Sequence, residues 1–140
     1  VIVYVRQPEL RRTFDASGVT YVASPFELGG RLVASAAFEP EVALLLDDVS
    51  SSISGHDIQQ FTVGDGSVTE GMTIEELRVE LLAKGGPLLI AIGVPNNGSW
   101  DIVPNPSLQH KVSSGTILMV LGHHDECRVL TETLGLVQGR

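Results

Sequence analysis

Lysine, cysteine and long apolar runs are scarce in this chain, and each scarcity closes off a class of function. Lys84 and Lys111 are the only lysines, and 9 basic residues stand against 17 acidic ones, a formal net charge of −8. Phosphate backbones are bound by clustered cationic side chains, so nucleic acid is not an expected partner. The single Cys127 cannot close an intramolecular disulfide, which fits a reducing compartment and a cytoplasmic setting. A membrane-spanning helix needs ~20 consecutive apolar residues, whereas the longest runs here, residues 87–94 and 116–122, are strand-sized. Neither a G-x-G-x-x-G phosphate loop nor a Gly-x-Ser-x-Gly nucleophile elbow occurs. No Ser, His and Asp set stands out, so the chain reads as non-enzymatic, with no catalytic residue to name.

What is present describes a globular chain. Its 140 residues are 43% hydrophobic and 19% charged, enough for one ordinary domain or two small ones that bury roughly 70% of the unfolded surface. The opening residues Val1-Ile2-Val3-Tyr4-Val5 include neither a starting Met nor a signal segment, and the chain reads as part of something longer.

Residues 1–5 are β-branched and aromatic, the pattern of a strand buried on both faces of a parallel sheet. Residues 8–17 place Leu10, Thr13 and Phe14 at helical spacing ahead of a capping Gly18, and residues 19–23 read as a second strand. That order implies parallel pairing through a right-handed crossover. In Ser24-Pro25-Phe26-Glu27, Ser24 is placed to cap a helix, Pro25 suits its first turn and Glu27 can reach back. The helix mixes Leu28, Leu32 and Val33 with Gly29, Gly30 and alanines, a composition that lets another backbone come close. Pro40 ends it and opens a second helix over 40–49, apolar almost all round through Val42, Leu44, Leu45 and Leu46. Such a helix needs cover on most sides, and a second subunit would supply it.

Residues 50–55 form the one linker-like stretch and mark the expected boundary between 1–52 and 56–140. Beyond it the patterns predict strands over 57–63, 87–94, 100–103 and 116–121 and helices over 74–84 and 125–134. Thr73-Ile74-Glu75-Glu76 carries capping-box logic, and Asn96-Asn97-Gly98 is a hairpin signal. The expected class is therefore α/β (α+β): a partial Rossmann-like parallel unit with crossover helices, then a small β-α-β-β-β-α subdomain. His123-His124-Asp125-Glu126-Cys127 is the densest group of metal-ligand types, but adjacent histidines do not converge easily on one ion. The expectation there is a capped helix start and no metal site.

The segment Gly18-Val19-Thr20-Tyr21-Val22-Ala23-Ser24-Pro25-Phe26-Glu27-Leu28-Gly29-Gly30-Arg31-Leu32 resembles the strand and crossover helix of RCK domains, the cytoplasmic regulators of potassium channels and Trk-type transporters. Gly66-Ser67, Gly71-Met72-Thr73-Ile74-Glu75-Glu76-Leu77, Leu89-Ile90-Ala91-Ile92, Asn105-Pro106-Ser107 and Gly115-Thr116-Ile117-Leu118-Met119-Val120-Leu121-Gly122 are similar to the TrkA-C-like C-terminal subdomain of that family. The resemblance covers nearly the whole chain. It implies that residues 1–52 end an N-terminal RCK subdomain and that residues 56–140 form the C-terminal one. It implies a gating or regulatory domain on the cytoplasmic side of the cell membrane, coupling ligand binding and dimer rearrangement to ion flux. The implied partners are a second copy, a gating ring of such dimers, and a membrane pore or transporter subunit on the same or a separate chain. The clasp falls on Leu32, Phe38, Val42, Leu45 and Leu46.

Some relatives bind cyclic di-AMP where this chain carries Ile92, Asn105, Pro106 and His110. The effector itself is left open between a regulatory nucleotide such as cyclic di-AMP and a divalent cation. Tyr4 and Arg6 stand where calcium-gated relatives carry carboxylates, which argues against a calcium site there. The Gly-rich half of the Rossmann-like part has no counterpart in these residues, so its nucleotide site is not carried over. Two alternatives share the pattern: a regulatory domain of a cation–proton antiporter, and a nucleotide-binding subunit or fragment of an NAD-linked enzyme.

Overall fold

The first two apolar runs become strands, β1 (Ile2–Tyr4) and β2 (Tyr21–Ala23). They pair in parallel with Val3 opposite Val22, across a 3-10 turn at Pro8–Leu10 and a short helix, α1 (Arg11–Asp15). Gly18 ends this connection at φ 74°, a left-handed conformation that side-chain-bearing residues avoid. The computed structural model describes residues 1–51 and 55–139. Compactness divides the chain into Val1–Asp47 and Asp48–Arg140. The expected boundary at 50–55 includes residues 52–54, which lie outside the described residues.

In the first unit one expectation fails. Ile2 and Tyr4 are exposed, and Val5 and Val22 are the buried apolar residues beside the sheet. Burial of both faces requires a layer on each side, which two strands and one crossover do not supply. Two further helices follow, α2 (Pro25–Ala36) and α3 (Pro40–Ser51). Pro25 sits at the first helical position as expected, where its missing N–H costs nothing. Ser24 is the N-cap residue, yet its side chain makes no capping bond. Glu27 does not reach back either; it pairs with Arg11 at 3.1 Å and Arg31 at 2.5 Å, and those charge-assisted contacts outcompete a neutral cap. A Cβ built on Gly29 or Gly30 meets nothing within 4 Å, so no described backbone makes the close approach that their composition suggests.

The second unit runs β3 (His56–Thr62), α4 (Ile74–Ala83), β4 (Leu88–Asn96), β5 (Ser99–Pro104), β6 (Ile117–His123), α5 (His124–Glu132) and β7 (Val137–Gln138). This is the expected β-α-β-β-β-α order with one addition, the two-residue β7, which is too short to show a period. The sheet order is β5-β4-β6-β3-β7, and its neighbours are antiparallel. Asn97 and Gly98 turn the β4–β5 hairpin with φ 46° and 81°, the positive pair of a type I′ turn. One sheet face carries Phe61, Leu89, Ile92, Leu118 and Val120 into a core shared with Ile74, Leu77 and Leu81 of α4 and Cys127 and Leu130 of α5. Each such aliphatic side chain contributes ~1.5–3 kcal/mol by leaving water. On the opposite face, register aligns Ile58, Leu121 and Leu88 in one row, and Ile58 and Leu88 are exposed. Among the described residues no helix is long and apolar enough to cross a membrane.

Candidate functional site

Two features of the structure call for a partner or ligand, one in each unit. In the first unit, α2, α3 and the turn between them present large apolar side chains to solvent: Phe38 of the turn is 88% exposed, Leu45 55%, Leu46 45% and Val42 44%, whereas Leu32 is half-buried. Phe26, Leu28, Val33 and Leu44 are exposed in the same two helices and were not among the expected interface residues. Scattered exposed apolar residues are ordinary, but seven on two short helices and Phe38 in the turn between them make an unusually apolar surface.

In the second unit the loop after β5 runs beside α4. Asn105 stands at its head with φ 44°, and its amide donates to the Ile90 carbonyl of β4 at 2.8 Å. Arg78 of α4 donates from Nη2 to Asn105 Oδ1 at 3.1 Å and to the Leu89 carbonyl at 3.4 Å. Its Nε is buried without a hydrogen-bond partner. Arg78, Leu88 and Leu89 line two cavities, one of about 240 Å³ that reaches Leu82 and Pro87, and one of about 360 Å³ that reaches Ile90 and Asn105. A guanidinium between apolar walls suits an anionic group carried on an apolar or planar body.

The four expected ligand residues divide. Asn105 and His110 are exposed and Pro106 is buried in the same loop; the His110 carbonyl accepts the Ile74 amide, fixing the far end of the loop at the start of α4. Ile92 is wholly buried in the core. Its side chain faces the helices and is removed from the candidate site, because strand alternation turns it inward. Arg78 was missed: its partner Asn105 lies 27 positions away, and nothing local marks an arginine inside an otherwise ordinary amphipathic helix.

The metal-ligand types at the start of α5 are otherwise engaged. His123 Nδ1 accepts the Asp125 amide at 3.3 Å while Glu126 Oε2 accepts the His123 amide at 2.8 Å, a capping box. Asp125 pairs with Arg128, and Cys127 turns into the core beside Leu130 and Leu134. Burial, with Glu126 and Asp57 adding to it, pushes the Cys127 thiol up, so it rests as an unreactive thiol. Among the described residues no group of three or more His, Cys, Asp or Glu could hold a metal ion.

No family model matches the sequence, and no curated protein does so. Solved structures do match. The GsuK channel bound to NAD is 20% identical with a TM-score of 0.52, over 96% of this chain and 22% of that one. The human SLO3 gating ring is 15% identical with a TM-score of 0.71, over 91% of this chain and 27% of that one. The GsuK RCK domain is 18% identical over 96% of this chain and 27% of its own, at a TM-score of 0.48. The chain thus has the mixed α/β fold of an RCK domain, as its sequence resemblance implies. It spans about a quarter of the length of each of these three chains.

Proposed function

We propose that this chain is a regulatory domain of a potassium channel or transporter that works as a homodimer, clasped through α2 and α3 and assembled into a gating ring. The observation that carries the reading is the apolar face of Phe38, Val42, Leu45 and Leu46 on an RCK fold. A ligand that binds one arrangement of the dimer more tightly than another shifts that equilibrium, and the ring passes the shift to a pore. The effector site is the Arg78–Asn105 cleft, with Pro106 and His110 shaping its loop and Arg78 holding the anionic group. The domain does no chemistry on its ligand and acts on the cytoplasmic side of the cell membrane.

Analytical ultracentrifugation of the chain and of a Leu45→Asp, Leu46→Asp double variant tests the clasp. The parent is expected to sediment as a dimer at micromolar concentration and the variant as a folded monomer. A parent that stays monomeric at high micromolar concentration, or a variant that dimerises equally well, overturns it. Melting the chain with cyclic di-AMP, ATP, ADP, NAD, Ca²⁺ and Mg²⁺ tests the effector site, because a ligand at 100 times its Kd stabilises by about 2.7 kcal/mol. Arg78→Leu is expected to abolish the shift given by the active compound.

A further inference from the structure

The cavity beside the N-terminus of α2 has no part in that function, and it gathers two guanidiniums around one carboxylate beside a hydroxyl that has no partner. Its volume is about 200 Å³, and its walls include Arg11, Tyr21, Ser24, Glu27, Leu28 and Arg31. Ser24 is 8% exposed and its Oγ has no hydrogen-bond partner, a condition that costs ~1–3 kcal/mol. Pro25 brings no N–H to the first turn, and no side chain caps this helix end. The amides of Phe26 and Glu27 have no carbonyl a turn behind them within the helix, which leaves the positive end of its dipole open. Arg11 from α1 and Arg31 from α2 converge on one carboxylate, Glu27. Asp15 reaches Arg11 only at 3.8 Å. Two guanidiniums, an open helix end and an unpaired hydroxyl therefore gather around Glu27, with Asp15 at longer range from Arg11 alone.

We propose that this cavity binds a phosphate group, which takes the place of the Glu27 carboxylate between Arg11 and Arg31 while Ser24 and the first-turn amides donate to it. A phosphate dianion offers three acceptor oxygens where a carboxylate offers two, and planar guanidiniums grip it in paired bonds. The Glu27 side chain is 31% exposed, so it can swing toward solvent and acts as the internal placeholder of the empty site. The phosphate is either inorganic or the headgroup of a nucleotide whose base rests against Tyr21; the residues recognise the chemistry common to both. The site is built from the first unit alone, and its existence does not depend on the clasp or on the Arg78 cleft.

Titration of the ¹⁵N-labelled chain with inorganic phosphate, and separately with AMP, at constant ionic strength tests this. Saturable shifts are expected at the Ser24, Phe26 and Glu27 amides. Arg31→Gln should weaken binding about tenfold, the loss of ~1.4 kcal/mol. Glu27→Gln should tighten it at least severalfold by freeing both guanidiniums. AMP binding tenfold tighter than phosphate identifies a nucleotide as the source, equal affinity identifies phosphate itself, and both support the site. The absence of saturable shifts at these amides in both the parent and Glu27→Gln overturns it, as do equal shifts in Arg31→Gln. The Arg31 side chain is 73% exposed, so its replacement reads binding and leaves folding intact; an unchanged melting temperature confirms this.

Discussion

Gly122→Ala places a methyl group where β6 meets both the entry to β4 and the first turn of α5. A Cβ at this position lies 2.6 Å from Pro87 Cβ, 3.1 Å from Pro87 Cα and 2.7 Å from Glu126 Oε2, whereas carbon atoms in contact rest ~3.5–4.0 Å apart. Something must yield on each side. Glu126 Oε2 is the acceptor for the His123 amide at 2.8 Å, so its retreat forfeits a helix cap, ~1 kcal/mol. Pro87 offers only ring and backbone, and displacing it is overpacking of the kind that costs ~1–3 kcal/mol. The two together come to about 2–4 kcal/mol, which for a unit of roughly 100 residues lowers the melting temperature by about 10–20 °C. Thermal unfolding by circular dichroism and urea unfolding at 25 °C both read this. Glu126→Ala, which loses the cap without the clash, is expected to cost ~1 kcal/mol. A Gly122→Ala protein no less stable than Glu126→Ala would show that the strand entry has room to move, and would refute the packing described at this junction.

Thr73→Ala removes the other capping box, in which Thr73 Oγ1 accepts the Glu76 amide at 3.2 Å and Glu76 accepts the Thr73 amide at 2.8 Å. It should cost ~1 kcal/mol in urea unfolding, while Thr73→Ser keeps most of the stability. Cys127, whose thiol is held above its ordinary 9.0 by burial first and by Glu126 and Asp57 after it, makes stability fall in alkali. The unfolded thiol ionises first, so this contribution is whole below the unfolded pKa and declines as pH rises through it toward the folded value. Urea midpoints should therefore drop more steeply above pH ~9 for the parent than for Cys127→Ala; parallel slopes would refute the assignment. In the folded protein the same thiol is expected to resist iodoacetamide and to react on unfolding.

Much of the second unit was legible because its signals are local. Thr73 and Glu76 lie three positions apart, Asn97-Gly98 specifies its turn through backbone preference alone, and the core face of α4 repeats at helical spacing. The same signal at Ser24 misled, since Glu27 is captured by Arg31 one turn on and by Arg11 from α1, and the second of these partners lies outside any window around residue 24. Burial of β1 was overestimated for a related reason: its residues fit a covered strand, but cover is a property of neighbouring layers. At the candidate ligand site, Asn105 was singled out only through the resemblance to relatives that bind cyclic di-AMP. Arg78 could not be, because its meaning comes from the two oxygens it donates to, the Leu89 carbonyl and Asn105 Oδ1. The apolar excess of α2, α3 and the turn between them was legible in composition, and Phe38, Val42, Leu45 and Leu46 are exposed there.

The seam between β3 and β6 also sets the sequence in which the second unit can assemble. His56 pairs with His123 and Thr62 with Ile117, so the whole intervening chain must close on itself before this seam forms. For a loop of roughly 65 residues that closure costs about 4 kcal/mol of entropy. The β4–β5 pair closes around two residues and forms within microseconds. β6 can then join β4, but until β3 arrives one edge of β6 stays open, with Leu118 and Val120 displayed on a partly built sheet. During that interval a neighbouring chain can pair with the edge as readily as β3 can, so refolding yield should depend on protein concentration more than native stability does.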